Sequence, residues 1–225
     1  MEQLSGFDAF FIKSEFKSAP QHISHVYIYD PSSSDQAVIR FKDILQNYQN
    51  RLHLAPVFRR QIKGVPFSLD DPYWVDAPDF DIEYHVRHIA LPKPGDWRQL
   101  CIQLARLHSQ NLDLSRPMWQ AYVIEGLDGV DGMPPGAFAI MTKMHHAMVD
   151  GKAALQMLES IHDHTPTVDN SPPPEMTLEP EPDTPQLLMQ AGKNMLKQPG
   201  KSFSKLKRLF QLLKRSVNPD VTTAN

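Results

Sequence analysis

The stretch Phe138-Ala-Ile-Met-Thr-Lys-Met-His-His-Ala-Met-Val-Asp-Gly-Lys-Ala-Ala-Leu-Gln-Met-Leu158 decides how the rest of the chain is read. Its first half alternates, with Phe138, Ile140, Thr142 and Met144 set against Ala139, Met141 and Lys143, the period of a strand entering a core. Asp150 and Gly151 interrupt the run. Leu155, Leu158 and Ile161 then recur at helical spacing, with Asp150 placed to cap that helix through its side chain. His145 and His146 therefore fall at or just past a strand end. Successive strand side chains point to opposite faces, so one imidazole should meet a cleft and the other should meet packing. An imidazole with an ordinary pKa of about 6.5 is suited to taking a proton near neutral pH. Asp150, four residues after His146, is placed to orient the loop or a basic side chain by charge-assisted hydrogen bonding. Other readings stand beside this one. The histidines read equally as satisfied polar residues without chemistry, and Asp-Gly as no more than a helix start. A metal site is a third reading, although His-His-x-x-x-Asp lacks the i, i+4 histidine pair of zinc hydrolases and has no cysteine nearby.

Working outward, the 225 residues suit one sizeable core or a core with an appendage, of α/β class. The net charge of -3 gives no global basic field, which argues against a nucleic-acid partner. A single cysteine, Cys101, excludes an internal disulfide and fits a reducing cytoplasm. Cys101 lies in the helical pattern Leu100-Cys-Ile-Gln-Leu-Ala-Arg-Leu107 and is expected in the core, not as a nucleophile. No run of eighteen apolar residues exists, and the start lacks a signal-peptide layout, so any encounter with a membrane is expected at its surface.

In the first hundred residues, Phe7, Phe10, Phe11 and Phe16 are expected as core aromatics. His22 to Tyr29 alternate as a strand, ended by Asp30-Pro31 and three serines. Val38 to Asn50 reads as a helix with Val38, Phe41, Leu45 and Tyr48 on one face. Pro56 to Lys63 enters a strand. Asp70 to Pro94, rich in aspartate, proline and aromatics, is expected to cross the surface in extended form. Within it Asp79 and Asp81 share a face, but nothing tunes their pKa values apart, so a structural role is expected; His85 and His88 are assigned no chemistry. Trp97 to Gln110 is a helix with Leu100, Leu104 and Leu107 inward. Trp119 reads as a buried anchor at the head of the strand Gln120 to Ile124. That strand is joined by the long turn Glu125–Gly136 to the strand carrying the histidines, with which it is expected to pair.

Past the motif helix the composition changes. Thr165 to Pro185 holds seven prolines and five acidic residues with no basic one, a linker that cannot bury enough apolar surface to fold. Gln186 to Gln198 is a weak helical segment. Lys201 to Val217 is stronger, with Phe203, Leu206, Phe210, Leu213 and Val217 on one face and six positive charges. It reads as an interfacial helix on anionic headgroups, or as a helix packed on another part of the protein with a solvated basic face. The domain reading is therefore 1–165, a linker 166–185 and a helical basic segment 186–225.

The run His145-His146-Ala-Met-Val-Asp150-Gly151 resembles the His-His-x-x-x-Asp-Gly motif of the CoA-dependent acyltransferase superfamily. Within that superfamily the chain is similar to the bacterial wax ester synthase/diacylglycerol acyltransferase family. The supporting stretches are Leu4-Ser-Gly-Phe-Asp8, Pro72-Tyr-Trp-Val-Asp-Ala-Pro-Asp-Phe-Asp81, Tyr84-His-Val-Arg-His-Ile-Ala-Leu-Pro92, Pro94-Gly-Asp-Trp97, Arg116-Pro-Met-Trp119 and Tyr122-Val-Ile-Glu-Gly-Leu127. The resemblance runs from about residue 4 to residue 165. Met118 departs from the family's usual leucine, a near-isosteric change. The resemblance implies a chloramphenicol-acetyltransferase-like sandwich of a mixed sheet with flanking helices. It implies O-acyl transfer from long-chain acyl-CoA to a fatty alcohol or diacylglycerol. His146 would be the general base, with His145 in support and Asp150 and Gly151 shaping the loop. Acyl-CoA is then a substrate, and neither a cofactor nor a metal is implied. Members of the family are about twice this long, so a C-terminal acyltransferase half is implied as a partner, with a membrane or lipid-inclusion surface where substrate is met. A catalytically silent lipid- or carrier-binding domain of the same fold, and a metal-dependent hydrolase using His145, His146 and Asp150, remain as alternatives.

Overall fold

The computed structural model describes residues 1–34, 38–148, 158–162, 173–174 and 177–197. In chain order these form β1 (Glu2–Gln3), α1 (Gly6–Ser14), β2 (His22–Tyr29), α2 (Phe41–Arg51), β3 (Arg60–Lys63), β4 (Tyr73–Asp76) and α3 (Ile82–His85). They continue as β5 (Val86–Ala90), α4 (Trp97–Ser109), β6 (Trp119–Glu125), β7 (Phe138–His145) and α5 (Thr184–Lys197). The main sheet is mixed, ordered β2-β7-β6-β5, antiparallel except for the β5–β6 pair. This is the α/β arrangement expected, and β6 and β7 pair as expected. The strand His22–Tyr29 forms within the limits its alternation set.

β7 is central, and all eight of its residues are buried. Its alternate side chains feed two cores. Phe138, Ile140 and Met144 join Tyr48, Phe58 and Trp119 on one face. Ala139 and Met141 join Leu100, Leu107 and Tyr122 on the other. A strand covered on both faces reads as a near-continuous apolar run. The one cation in it, Lys143, is fully buried, and its Nζ donates to Leu107 O at 2.9 Å and Gln110 O at 2.7 Å. Those carbonyls close the C-terminal end of α4, where a helix dipole favours positive charge. Burial still pushes the ammonium down to about 8.

α4 starts from Asp96, whose carboxylate accepts from Gln99 N–H at 2.8 Å while Gln99 Oε1 accepts from Asp96 N–H. Gly95 before it has φ +70°, and a Cβ there would stand 1.9 Å from Gly126 O. The Pro94-Gly-Asp-Trp97 run is thus a close backbone approach followed by a cap.

A second antiparallel sheet, β1-β4-β3, receives α5. Leu187 and Ala191 pack on Val65, Tyr73 and Val75. Asn194 Nδ2 donates to Asp70 Oδ2 at 2.8 Å, Tyr73 OH at 2.9 Å and Gln3 Oε1 at 3.1 Å. The weak helical segment past the linker is therefore a 14-residue helix whose stability comes from docking, with Asp183 and Gln186 capping its start. The basic stretch Lys201–Val217 and the linker residues 165–172 and 175–176 lie outside the described residues.

Several expectations are corrected. Phe7, Phe10 and Phe16 are not core residues; they are 68, 60 and 65% exposed, because Ala9, Phe11 and Ile12 supply the packed side of α1. Cys101 is exposed, since Leu100, Leu104 and Leu107 already occupy the inward face of α4. Val38 lies before α2 and is exposed. Residues 70–94 cross the surface in extended form only in part, along β5 and the residues after it: Tyr73, Trp74 and Val75 are a buried strand, and 82–85 form a helical turn. Asp81 caps that turn by accepting from Glu83 N–H at 2.9 Å. His85 closes it and is buried; its Nδ1 donates to Trp119 O at 2.7 Å, and its ring stacks between Phe80 and Trp119.

Candidate active site

The end of β7 is held from both sides. His145 N–H donates to Met118 O at 3.0 Å, and His146 N–H donates to Gln21 O at 2.9 Å. Adjacent amides thus reach opposite neighbours, as strand amides do, and the chain then turns through a single 3-10 turn at His146–Met148. The backbone of Met118 sits where it does because Trp119 is locked. Its Nε1 donates to Phe58 O at 2.8 Å, and its ring stacks on His85 at 4.7 Å and meets Phe58 edge-on at 4.8 Å. The Arg116-Pro-Met-Trp119 run therefore supports the histidine pair through the sheet, without offering a reactive group.

The two imidazoles differ completely. His145 is 0% exposed. Its Nδ1 accepts from Ala147 N–H at 3.0 Å, so Nε2 must carry the proton, which it donates to Glu15 Oε2 at 2.6 Å. Both ring nitrogens are spent inside the protein. Burial first, and then His146, pushes the pKa of His145 down to about 4, so it is a neutral hydrogen-bond bridge at ordinary pH. Burial likewise raises the Glu15 carboxyl above its ordinary value, with the nearby His22 opposing. Bound in this way, His145 presents no lone pair to a metal ion, which removes it from the ligand set of a metal-dependent hydrolase.

His146 is half-buried. One face of its ring stacks on Phe11 of α1, centroids 4.8 Å apart and planes 15° from parallel. Among the described residues its ring nitrogens make no hydrogen bond. The half of the expectation that places one imidazole in packing is met by His145. Asp150 and Gly151, the other motif residues, lie outside the described residues. A cavity of about 320 Å³ opens elsewhere, lined by Gln49, His53, Arg59 and Phe80 and bordered by Pro173, and neither histidine lines it.

Glu15 and Phe11 were missed by sequence reasoning. Glu15 is 130 residues from the histidine it holds, and nothing local marks it. Phe11 was noticed only as one aromatic among four. A direct check of the Glu15 contact is equilibrium unfolding. Glu15→Ala leaves the buried Nε2–H of His145 without an acceptor and should cost about 1–3 kcal/mol in urea titrations. Glu15→Gln, which keeps an accepting oxygen, should cost clearly less. Equal losses would mean that the contact carries nothing.

The starter condensation domain of a rhizomide synthetase, crystallised with C8-CoA, superposes with a TM-score of 0.54 over 71% of this chain and 34% of its own; at 14% identity this bears on the fold alone. The wax ester synthase/diacylglycerol acyltransferase from Marinobacter aquaeolei superposes with a TM-score of 0.59 at 27% identity, over 89% of this chain and 46% of its own. Residues 4–224 match the family described as wax ester synthase/diacylglycerol acyltransferase catalytic domain, and the chain belongs to that family. A putative diacylglycerol O-acyltransferase of Mycobacterium tuberculosis H37Rv is 36% identical over 166 residues, 74% of this chain and 34% of the relative. A probable diacylglycerol O-acyltransferase of the same strain, tgs3, is 34% identical over 198 residues, 88% of this chain and 70% of the relative. The chain thus spans about a third of the first relative's length and under half of the Marinobacter protein. Among the described residues no helix is long and apolar enough to cross a membrane.

Proposed function

We propose that this chain carries the proton-transfer centre of an O-acyltransferase that moves a long-chain acyl group from acyl-CoA to a fatty alcohol or a diacylglycerol, with His146 as general base. The observation that carries the reading is the division of labour in the tandem pair. His145 is buried with both nitrogens occupied, while His146, pinned by its backbone at the sheet end, keeps its ring half-accessible.

A thioester carbonyl is already activated, but an alcohol is a poor nucleophile near neutral pH, so the protein must supply proton removal in the transition state. His146 takes the hydroxyl proton as the acceptor oxygen bonds to the thioester carbon. The tetrahedral intermediate collapses with cleavage of the carbon–sulfur bond, and the imidazolium returns the proton to the departing CoA thiolate. Ester and free CoA leave, and no acyl-enzyme forms. His145 fixes the turn through Ala147 N–H, which makes it a positioning residue. Asp150 and Gly151 keep the loop-orienting role their motif positions suggest. Residues 1–165 form the catalytic unit in this reading, 166–185 the linker and 186–225 a helical segment serving a partner half or a lipid surface. Acyl-CoA is a substrate, not a resident cofactor.

The test is transfer of labelled palmitate from palmitoyl-CoA to hexadecanol and to a diacylglycerol by the intact protein, followed as labelled ester and as released thiol. Ester and thiol formed in equal amounts support the proposal. Thiol without ester indicates hydrolysis, and neither product indicates a silent binding domain; both results reject it.

A further inference from the structure

We infer that α1 sets chain-length specificity: the rings of Phe7, Phe10 and Phe11 form a rail along which the alkyl chain of the acyl acceptor lies, ending at His146. This rests on the function proposed above and names how that site takes its substrate.

The helix carries more apolar side chain than its packing uses. Ala9 is buried and Phe11 and Ile12 pack on the core, while Phe7 and Phe10 stand 68 and 60% exposed. A single exposed phenyl ring is ordinary. What sets these apart is their connection. Phe7 meets Phe11 edge-on at 4.9 Å, Phe10 meets it at 5.9 Å, and Phe11 stacks on the imidazole of His146 at 4.8 Å. Positions 7, 10 and 11 are helical neighbours at i, i+3 and i+4, so the three rings make one unbroken apolar strip from solvent to the proposed base.

The strip is also held rigidly. Ser5 Oγ accepts from Asp8 N–H at 3.1 Å to cap α1, and Lys13 Nζ donates to Asp71 Oδ1 at 2.5 Å to tie down its far end. Sites built on fixed elements place a reacting atom better than mobile ones.

The shape and charge of the strip point to an alkyl chain as its occupant. A lipid-surface helix would show an apolar face rimmed by Lys and Arg. α1 bears Asp8 and one lysine, Lys13, and that lysine is paired. A linear alcohol carries its hydroxyl at the end of its chain, so a chain lying on the rings brings its terminal oxygen to the Nε2 or Nδ1 edge of His146.

The experiment uses Phe7→Ala/Phe10→Ala in the intact protein, after confirming an unchanged melting temperature. The readout is the ratio of kcat/KM for hexadecanol to that for butanol, which should fall about tenfold, since each ring removes a large apolar contact with the longer chain only. Binding is read separately from turnover, by the 19F shift of the ring at Phe11, which both proteins retain, in 4-fluorophenylalanine-labelled protein on adding dodecanol. Shifts that weaken in the variant support the rail, and they do so even if no ester forms, in which case the proposed reaction fails and the rail stands. An unchanged ratio overturns the inference. So does loss of sedimentation with phosphatidylglycerol vesicles without any change in dodecanol shifts, which would assign the face to a membrane. A change of oligomeric state with the ratio unchanged would assign it to a protein contact and overturns it equally.

Discussion

Replacing His146 by alanine should lower acyl transfer by about 10²–10⁴-fold, the usual loss on removing a general base, while acyl-CoA binding and the fold persist. The packing around His146 argues that the fold persists. His146 is tied to Gln21 O, just before β2, by its backbone N–H, which alanine retains, and its ring is only half-buried, so the main packing loss is one stack with Phe11. The informative comparison is with its neighbour. His145→Ala removes a fully buried ring, strands the Glu15 carboxylate in a desolvated position and frees Ala147 N–H. It should therefore lose stability first and activity as a consequence, whereas His146→Ala should lose activity at nearly unchanged stability. Single-turnover kinetics beside urea unfolding separates the two. A His146→Ala protein that turns over like the wild type would remove the proposed mechanism.

What the sequence made legible follows from how local each signal is. β7 announced itself because a strand packed on both faces needs apolar residues at nearly every position, and its histidines marked the end of that run. The helix from Trp97 is likewise a local signal, carried by Leu100, Leu104 and Leu107 on one face. Pairings across the fold left no such trace. Glu15 meets His145 only because α1 ends beside the turn after β7. The burial of Lys143 in an apolar strand is accounted for only by the distant carbonyls of Leu107 and Gln110. Periodicity also says that a face is apolar without saying that it is covered. Phe7 and Phe10 read as core aromatics and Cys101 as a core position of a helical pattern, yet the inward positions of their helices are filled by other residues. The error over residues 70–94 has a related origin. Proline and aspartate suggested surface, but in this chain they punctuate short elements, with Asp81 capping a single turn, while the aromatic residues between them enter the core.

Acidification should begin to destabilise this protein before its carboxylates lose their charge. His85 and His145 are both buried and both held near pKa 4 against an ordinary 6.5. In each case burial is the leading cause. At His85 the bond to Trp119 O and the charge of Asp81 work against the depression, and Arg116 and Arg87 work with it; at His145 the charge of His146 deepens it. Between about pH 6.5 and 4 the unfolded chain therefore binds protons that the folded chain refuses, so stability is full above 6.5 and falls as pH drops through that window. At about 1.4 kcal/mol per pKa unit, each histidine contributes of order 3 kcal/mol, a large share of a typical total of roughly 5–15 kcal/mol. The raised carboxyl of Glu15 opposes this in part, because the folded state holds that proton more firmly than the unfolded one. Urea titrations at about pH 7 and about pH 4.5 should show the loss directly. His85→Asn retains a donor for Trp119 O but cannot titrate, so it should lower stability at pH 7 and yet flatten the slope by close to one proton. An unchanged slope in that variant would mean that His85 is not held neutral by the stack of Phe80 and Trp119 around it, and the acid lability would then have to come from elsewhere in the fold.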